Sequence, residues 1–186
     1  MVFPPAVARR LQATLAQGGI LAYPTEAVYG LGCLADDAAA VLRLLALKQR
    51  PWEKGLIVLA ADFAQLQPYL APLTPELAAR VLPTWPGPVT WLLPTLPKTP
   101  LWLRGTHTSL AVRVTAHPVA AELCRLAGPL VSTSANPAGR TPARHLWAVR
   151  RYFGSRVTLV RTGTLGDNLR PTPIYDAQTG TCLRLG

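Results

Sequence analysis

Acidic residues are scarce in this 186-residue chain: nine Asp and Glu stand against nineteen Lys and Arg, a formal net charge of +10. An excess of that size anticipates an anionic partner, either RNA, which rewards a spread-out basic surface, or a nucleotide, which needs a few cations converging in one cavity. Cysteine is sparse too. Cys33, Cys124 and Cys182 are odd in number, far apart and without a CxxC pair, which argues against a disulfide framework or a zinc site and leaves them as expected reduced core thiols. His107, His117 and His145 show no ligand spacing, and no protein metal ligands are expected.

Long apolar runs are missing as well. No stretch approaches the roughly 18 consecutive apolar residues of a membrane span, and Met1 to Gln12 lacks the apolar block of a secretory signal. No membrane association is expected, and the protein is expected to be cytoplasmic. Several chemistries also lack their signatures. There is no GxxxxGK[ST] phosphate loop, Gly30-Leu31-Gly32 lacks the third glycine of a dinucleotide fingerprint, and no GxSxG is present. No Cys or Ser sits in a recognisable nucleophile setting, and no residue stands out as a general base. Positioning and charge neutralisation remain.

What is present reads as one α/β domain over residues 1–186, with 49% hydrophobic content for its core. Val7, Leu11 and Leu15 recur at helical spacing before Gly18-Gly19, and the apolar run Ile20 to Tyr23 suits a first strand. Asp36 or Asp37 can cap a helix carrying Val41, Leu44, Leu45 and Leu47, which Pro51 ends near Lys48 to Arg50. Leu56 to Ala60 reads as a strand covered on both faces, followed by a short helix capped by Asp62. Thr74-Pro75-Glu76 is a helix start. Further strands are expected at Val89 to Leu93, Leu110 to Val114, Leu130 to Thr133, Val157 to Val160, Ile174 to Tyr175 and Cys182 to Leu185, and helices at Pro118 to Ala127 and Pro142 to Phe153. Strands near 90 to 114 and after 157 follow one another directly, so the sheet is expected to be mixed and twisted rather than purely parallel.

Four clusters are candidates for chemistry. In Lys48-Gln49-Arg50-Pro51 the chain leaves a helix, so a point charge and a planar fork two residues apart can face one anion; basic residues are also common at helix C-termini, and pattern alone favours that plainer role. Ser132-Thr133-Ser134-Ala135-Asn136 brings hydroxyls and an amide to a strand end, where α/β sheets place ligands, although such residues also make ordinary turns. Arg113 lies between Val112 and Val114 and becomes a carboxylate clamp if its face lines a cleft, or else an exposed strand arginine. Pro24 to Gly32 reads as a polar, glycine-containing loop able to seat a small substrate. The arginines dispersed after residue 100, among them Arg140, Arg144, Arg150, Arg151, Arg156, Arg161 and Arg170, suit either an RNA surface or a solvated basic face.

Taken in order, YPTEAVYGLGC, LKQRP, KGLIVLAA, WPGPVT, SLAVRV, LVSTSAN and YDAQTG span almost the whole chain and resemble the YrdC-like family of threonylcarbamoyl-AMP synthases, in its short bacterial form. The resemblance implies a twisted mixed parallel and antiparallel sheet flanked by helices around a basic cavity. It implies an enzyme that joins L-threonine, bicarbonate and ATP into threonylcarbamoyl-AMP, for N6-threonylcarbamoyladenosine at position 37 of tRNAs reading ANN codons. Carried over by residue, Lys48 and Arg50 would act in catalysis and, with Ser134, Asn136 and Arg184, bind ATP; Thr25, Arg113, Ser132 and Thr172 would bind L-threonine. Mg²⁺ would accompany the phosphates, largely through waters. Direct tRNA contact and downstream threonylcarbamoyl-transfer proteins are implied partners. Two departures stand out: Leu59-Ala60 occupies a place where longer relatives often carry a histidine, and their second domain has no counterpart before Gly186. An RNA-binding module without catalysis, or a scaffold for later enzymes, would be the alternative readings.

Overall fold

The computed structural model describes residues 2–168 and 171–185, so Arg170 and Gly186 lie outside the described residues. Helix α1, Pro5–Ala16, starts on a proline, whose missing N–H is harmless in a first turn, and buries Leu11 and Leu15. Strands β1 (Leu21–Pro24) and β2 (Tyr29–Leu34) follow as an antiparallel pair. Asp37 then caps α2, Ala38–Lys48, its Oδ1 accepting the Ala40 N–H at 2.9 Å. After β3 (Ile57–Ala60) comes α3, Pro75–Val81, whose Leu77 N–H donates to Thr74 Oγ1. Strands β4 (Thr90–Pro94) and β5 (Ser109–Val114) enclose a four-residue helix, α4 (Leu101–Arg104). The remaining elements are α5 (Pro118–Ala127), β6 (Leu130–Ser134), α6 (Leu146–Phe153), β7 (Thr158–Leu159), β8 (Ile174–Asp176) and β9 (Cys182–Arg184).

The nine strands among the described residues join one mixed sheet in the order β7-β1-β2-β6-β3-β5-β4-β8-β9. The pairings β1–β7, β3–β5 and β4–β8 are parallel and the others antiparallel. Because side chains alternate between faces and paired residues share one, the register sorts the sheet into two surfaces. One presents Ala22, Leu31, Val131, Val58 and Val112 to the larger core, covered by α2 and α6 through Leu44, Leu45, Val149 and Phe153. The opposite face carries Leu21, Tyr23, Leu59 and Leu130, packed by Leu11 and Leu15 of α1 and Leu123 of α5 into a smaller core. That second core covers only part of its face. The remainder is where the site lies.

Several sequence expectations are corrected. Tyr29 to Gly32, expected as loop, is strand β2 in the middle of the sheet. No α-helix follows Asp62; its Oδ1 accepts the Gln65 N–H at 3.1 Å within a turn, and a single 3₁₀ turn covers Gln67–Tyr69. The helix expected from Pro142 begins at Leu146, since Ala143 bridges two strand ends, accepting the Tyr29 N–H and donating to Ala135 O. A short helix separates β4 from β5, where none was expected. Cys33 and Cys124 are buried free thiols, but Cys182 is exposed on the edge strand. Among the described residues, no helix is long and apolar enough to cross a membrane.

Candidate anion-binding site

The uncovered part of the second face is floored mostly by small side chains, with Ile57 the one large apolar residue among those paired across it. Gly30 pairs with Ser134, Gly32 with Ser132, Ser132 with Ile57, and Ile57 with Ala111, so these residues form a low patch where a core would carry leucines. The glycines are needed for close approach: a Cβ on Gly32 would stand 2.7 Å from Val131 O and 2.8 Å from the Tyr23 hydroxyl. Above this floor is a cavity of about 520 Å³, within the usual range for small-molecule sites of roughly 300–1,000 Å³.

Its walls are cationic. Arg50, Lys54, Arg104, Arg113 and Arg184 all line it, and no carboxylate is among the described lining residues. Arg50 donates from Nη2 to Gly55 O at 2.9 Å. Arg113 donates from Nη1 to Thr172 Oγ1 at 2.9 Å, while its Nη2 lies 3.3 Å from Glu26 Oε2. Arg184 donates from Nη2 to Thr172 O at 2.6 Å, so Thr172 ties two guanidinium groups together. Burial, then the charges of Arg113 and Arg50, pulls the Arg184 pKa below the usual arginine range, and burial does the same to Arg50. Like charges held this close favour a bound anion, which relieves their repulsion.

Hydroxyl groups complete the lining. Thr25 donates from Oγ1 to Val28 O at 2.6 Å, which closes the turn between β1 and β2. Ser132 accepts from the Tyr23 hydroxyl at 2.9 Å. Tyr23 is wholly buried, and desolvation drives its pKa upward, so the phenol stays a donor and leaves the Ser132 proton for another acceptor. Ser134, paired with Gly30, continues the polar wall.

The structure thus brings Thr25, Arg50, Arg113, Ser132, Ser134, Thr172 and Arg184 to one cavity, but not Lys48 or Asn136. Gln49 adopts a left-handed conformation, φ 53°, at the end of α2, and Lys48 and Arg50 take different directions there. The Lys48 ammonium is buried and donates to the carbonyls of Ser134 and Asn136, the latter at 2.7 Å. Burial, then the neighbouring Arg50 charge, lowers its pKa to about 8. Asn136 donates from Nδ2 to Pro137 O at 3.0 Å and Arg140 O at 2.6 Å. These two residues brace the loop leaving β6.

Sequence reasoning missed Lys54, Arg104 and His107 in the lining, and Glu26 behind Arg113. Lys54 carries a usable signal, opening the apolar run of β3. Arg104 has none, because the helix that carries it is one turn long and without periodicity.

The chain is similar to known proteins over most of its length. Residues 13–186 match the model of the Sua5/YciO/YrdC family, described as telomere recombination. The threonylcarbamoyl-AMP synthase of Halorhodospira halophila is 55% identical over 181 residues, covering 97% of this chain and 95% of that protein. The threonylcarbamoyl-AMP synthase of Cellvibrio japonicus is 52% identical over 169 residues, 90% of this chain and 89% of that protein. The crystal structure of P. abyssi Sua5 complexed with L-threonine is similar at a TM-score of 0.84 and 30% identity, over 91% of this chain and 50% of that one. The chain spans about half the length of Sua5.

Proposed function

The chain belongs to the Sua5/YciO/YrdC family, and on that premise we propose that it is a threonylcarbamoyl-AMP synthase, an enzyme that converts L-threonine, bicarbonate and ATP to threonylcarbamoyl-AMP, pyrophosphate and water. The observation that carries this reading is the set of five cations, Arg50, Lys54, Arg104, Arg113 and Arg184, around a cavity with no lining carboxylate among the described residues. The reaction must gather a carboxylate, a carbamate and a triphosphate. Two unit charges 4 Å apart repel by roughly 4 kcal/mol at an effective dielectric of 20, so a basic enclosure lowers the cost of bringing them together.

In this reaction the threonine amine attacks the carbon of bicarbonate or of carbon dioxide, releasing water or a proton, and forms a carbamate. A carbamate oxygen then attacks the α-phosphorus of ATP, the bond to the bridging oxygen breaks, and pyrophosphate leaves. The mixed anhydride remains. Arg113, with Thr25, Ser132 and Thr172, holds the threonine end; Arg50, Arg184 and Ser134 hold the nucleotide. Lys48 and Asn136 act from behind, fixing the loop that carries Ser134, with the Lys48 charge adding to the field on the phosphates. Mg²⁺ would enter with ATP as part of the metal–nucleotide substrate. The product would pass in the cytoplasm to threonylcarbamoyl-transfer proteins acting on tRNA.

Mass spectrometry of a mixture of protein, MgATP, bicarbonate and one amino acid at a time tests the reading. The adenylate mass is expected with L-threonine and to vanish without bicarbonate. No adenylate with any amino acid, or equal yield with all, overturns it.

A further inference from the structure

Segment 161–168 leaves β7 without regular structure and runs along the outside of the β1–β2 turn. Most of the segment is exposed, yet Thr25, Glu26 and His117, which it contacts, are buried. It is held at three points. The Gly166 N–H donates to Thr25 O at 3.0 Å and the Asn168 N–H to Glu26 O at 3.1 Å. The third point is His117, whose Nε2 lies 3.0 Å from Thr164 O. A carbonyl only accepts, so this nitrogen carries the proton and donates. Two glycines permit the close fit: a Cβ on Gly166 would stand 2.7 Å from Glu26 O, and one on Gly163 would stand 2.5 Å from Val119 Cγ2.

His117 also reaches Glu26 from the other side. Its main-chain N–H donates to Thr115 Oγ1 at 3.1 Å, and that hydroxyl donates to Glu26 Oε1 at 2.6 Å. Glu26 Oε2 faces Arg113 Nη2. One histidine therefore holds the Glu26 side chain through Thr115, and the Glu26 main chain through Thr164 and Asn168. The other ring nitrogen, Nδ1, is buried with no partner among the described residues. Burying an unpaired polar atom costs stability, and an apolar side chain would avoid that cost, so the Nε2 bond is what an imidazole adds here. Neither His117 nor segment 161–168 is among the residues lining the cavity. Any effect on the reaction must pass through Thr25 and Arg113, which do line it.

The geometry points to His117 as a positioning residue for the threonine end of the site: it pins segment 161–168 as a brace across the β1–β2 turn, fixing the Thr25 side chain and the Arg113 guanidinium held by Glu26. The inference rests on the proposed reaction and deepens it. A small substrate seated between two such groups loses affinity when either can wander. On the nucleotide side, Arg50 and Ser134 have no described hydrogen bond to the brace. The two substrates should therefore respond differently when the brace is loosened.

The test pairs amide hydrogen exchange at Gly166 and Asn168, read by NMR, with initial rates of pyrophosphate release. Exchange of a bonded amide tracks the opening of the segment that holds it. His117→Leu should speed both amides by roughly 2- to 10-fold, the scale of one lost hydrogen bond. It should raise the KM for threonine by up to the same factor, since apparent affinity falls with the competent fraction, and leave the KM for ATP unchanged. His117→Gln, whose Nε2 can reach the same carbonyl, should restore both readouts. Gly166→Ala keeps the histidine but forces the brace off Glu26, and should raise the KM for threonine more than His117→Leu does. By reciprocity, L-threonine alone should slow exchange at Gly166. Equal rises in the two KM values, wild-type exchange in His117→Leu, no recovery in His117→Gln, or a wild-type threonine KM in Gly166→Ala would each overturn the inference. Absence of adenylate from the wild-type protein would instead count against the reaction, and exchange at Gly166 and Asn168 in the His117 variants would still decide whether the brace exists.

Discussion

Arg113 and Glu26 form a buried ion pair, Nη2 to Oε2 at 3.3 Å, with side chains only 7% and 11% exposed. The other Glu26 oxygen accepts from Thr115 Oγ1 at 2.6 Å, and Thr172 receives the second arm of the arginine. A guanidinium held from two sides cannot swing, which suits a group that must meet a substrate carboxylate in one orientation.

Removing Glu26 should therefore affect stability and binding together. Glu26→Ala leaves a buried arginine uncompensated, a loss on the order of 3–5 kcal/mol, and should lower the thermal midpoint by roughly 6 to 20 °C for a chain of this size. Glu26→Gln keeps an acceptor for Thr115, so it should lose less stability but raise the KM for threonine. Calorimetry and initial rates at varied threonine check both, and an unchanged midpoint in Glu26→Ala would rule out the structural half.

Arg50 and Lys48 should separate by phenotype. Arg50→Ala removes a cavity-lining charge and should reduce pyrophosphate release by roughly 100-fold or more, the scale of losing one preorganised electrostatic group, with little change in thermal midpoint. Lys48→Ala should be weakened in both respects, since two partly buried carbonyls lose their donor at a cost of up to about 1–3 kcal/mol each. Release of pyrophosphate and thermal melting distinguish them. Wild-type turnover in both variants would refute the phosphate assignment.

The pH dependence of stability carries the Lys48 signature. With its folded pKa lowered to about 8 from 10.5, the unfolded chain binds more protons between these values, so this residue adds stability as pH rises through that window and loses it as pH falls back through 8. Cys33 and Cys124 act in the opposite sense. Burial pushes each thiol from 9.0 up to about 12, so their contribution is present below 9 and declines above it. The informative quantity is the difference between wild type and Lys48→Met in denaturant midpoint from pH 7.5 to 10.5, which should grow with pH in favour of wild type relative to its value at pH 7.5.

Gly32→Ala tests the floor of the site. The new methyl would collide with Val131 O, which cannot move without disturbing β6, so a stability loss of about 1–3 kcal/mol is expected from overpacking. Displacement of the Tyr23 hydroxyl should also disturb Ser132 and raise the KM for threonine.

How much of this was legible in the sequence depended on the range of the interaction. Helices with strong periodicity and a capping side chain, such as α2 with Asp37, could be placed closely. Strand β2 could not, because YGLGCL contains the glycines that a loop would also use, and only the register against Ser132 and Ser134 explains them. Arg113, Ser134 and Arg184 pointed to the cavity through family resemblance, whereas Arg104 joined it by a tertiary approach that no local pattern encodes. The pairing of Lys48 with Arg50 was sound as a spacing argument, but it assumed extended backbone, and the left-handed turn at Gln49 sends the two cations to different duties.

The glycine and serine floor described above has a consequence for the protein at rest. One sheet face is finished by leucines over α1 and α5, while its other part stays hollow and ringed by mutually repelling guanidinium groups. A triphosphate seated there would act as the missing stratum of the interior, supplying bulk and counter-charge at once. The fold is therefore completed by its cargo, and a loaded molecule should resist heat more than an empty one in proportion to the logarithm of ligand concentration.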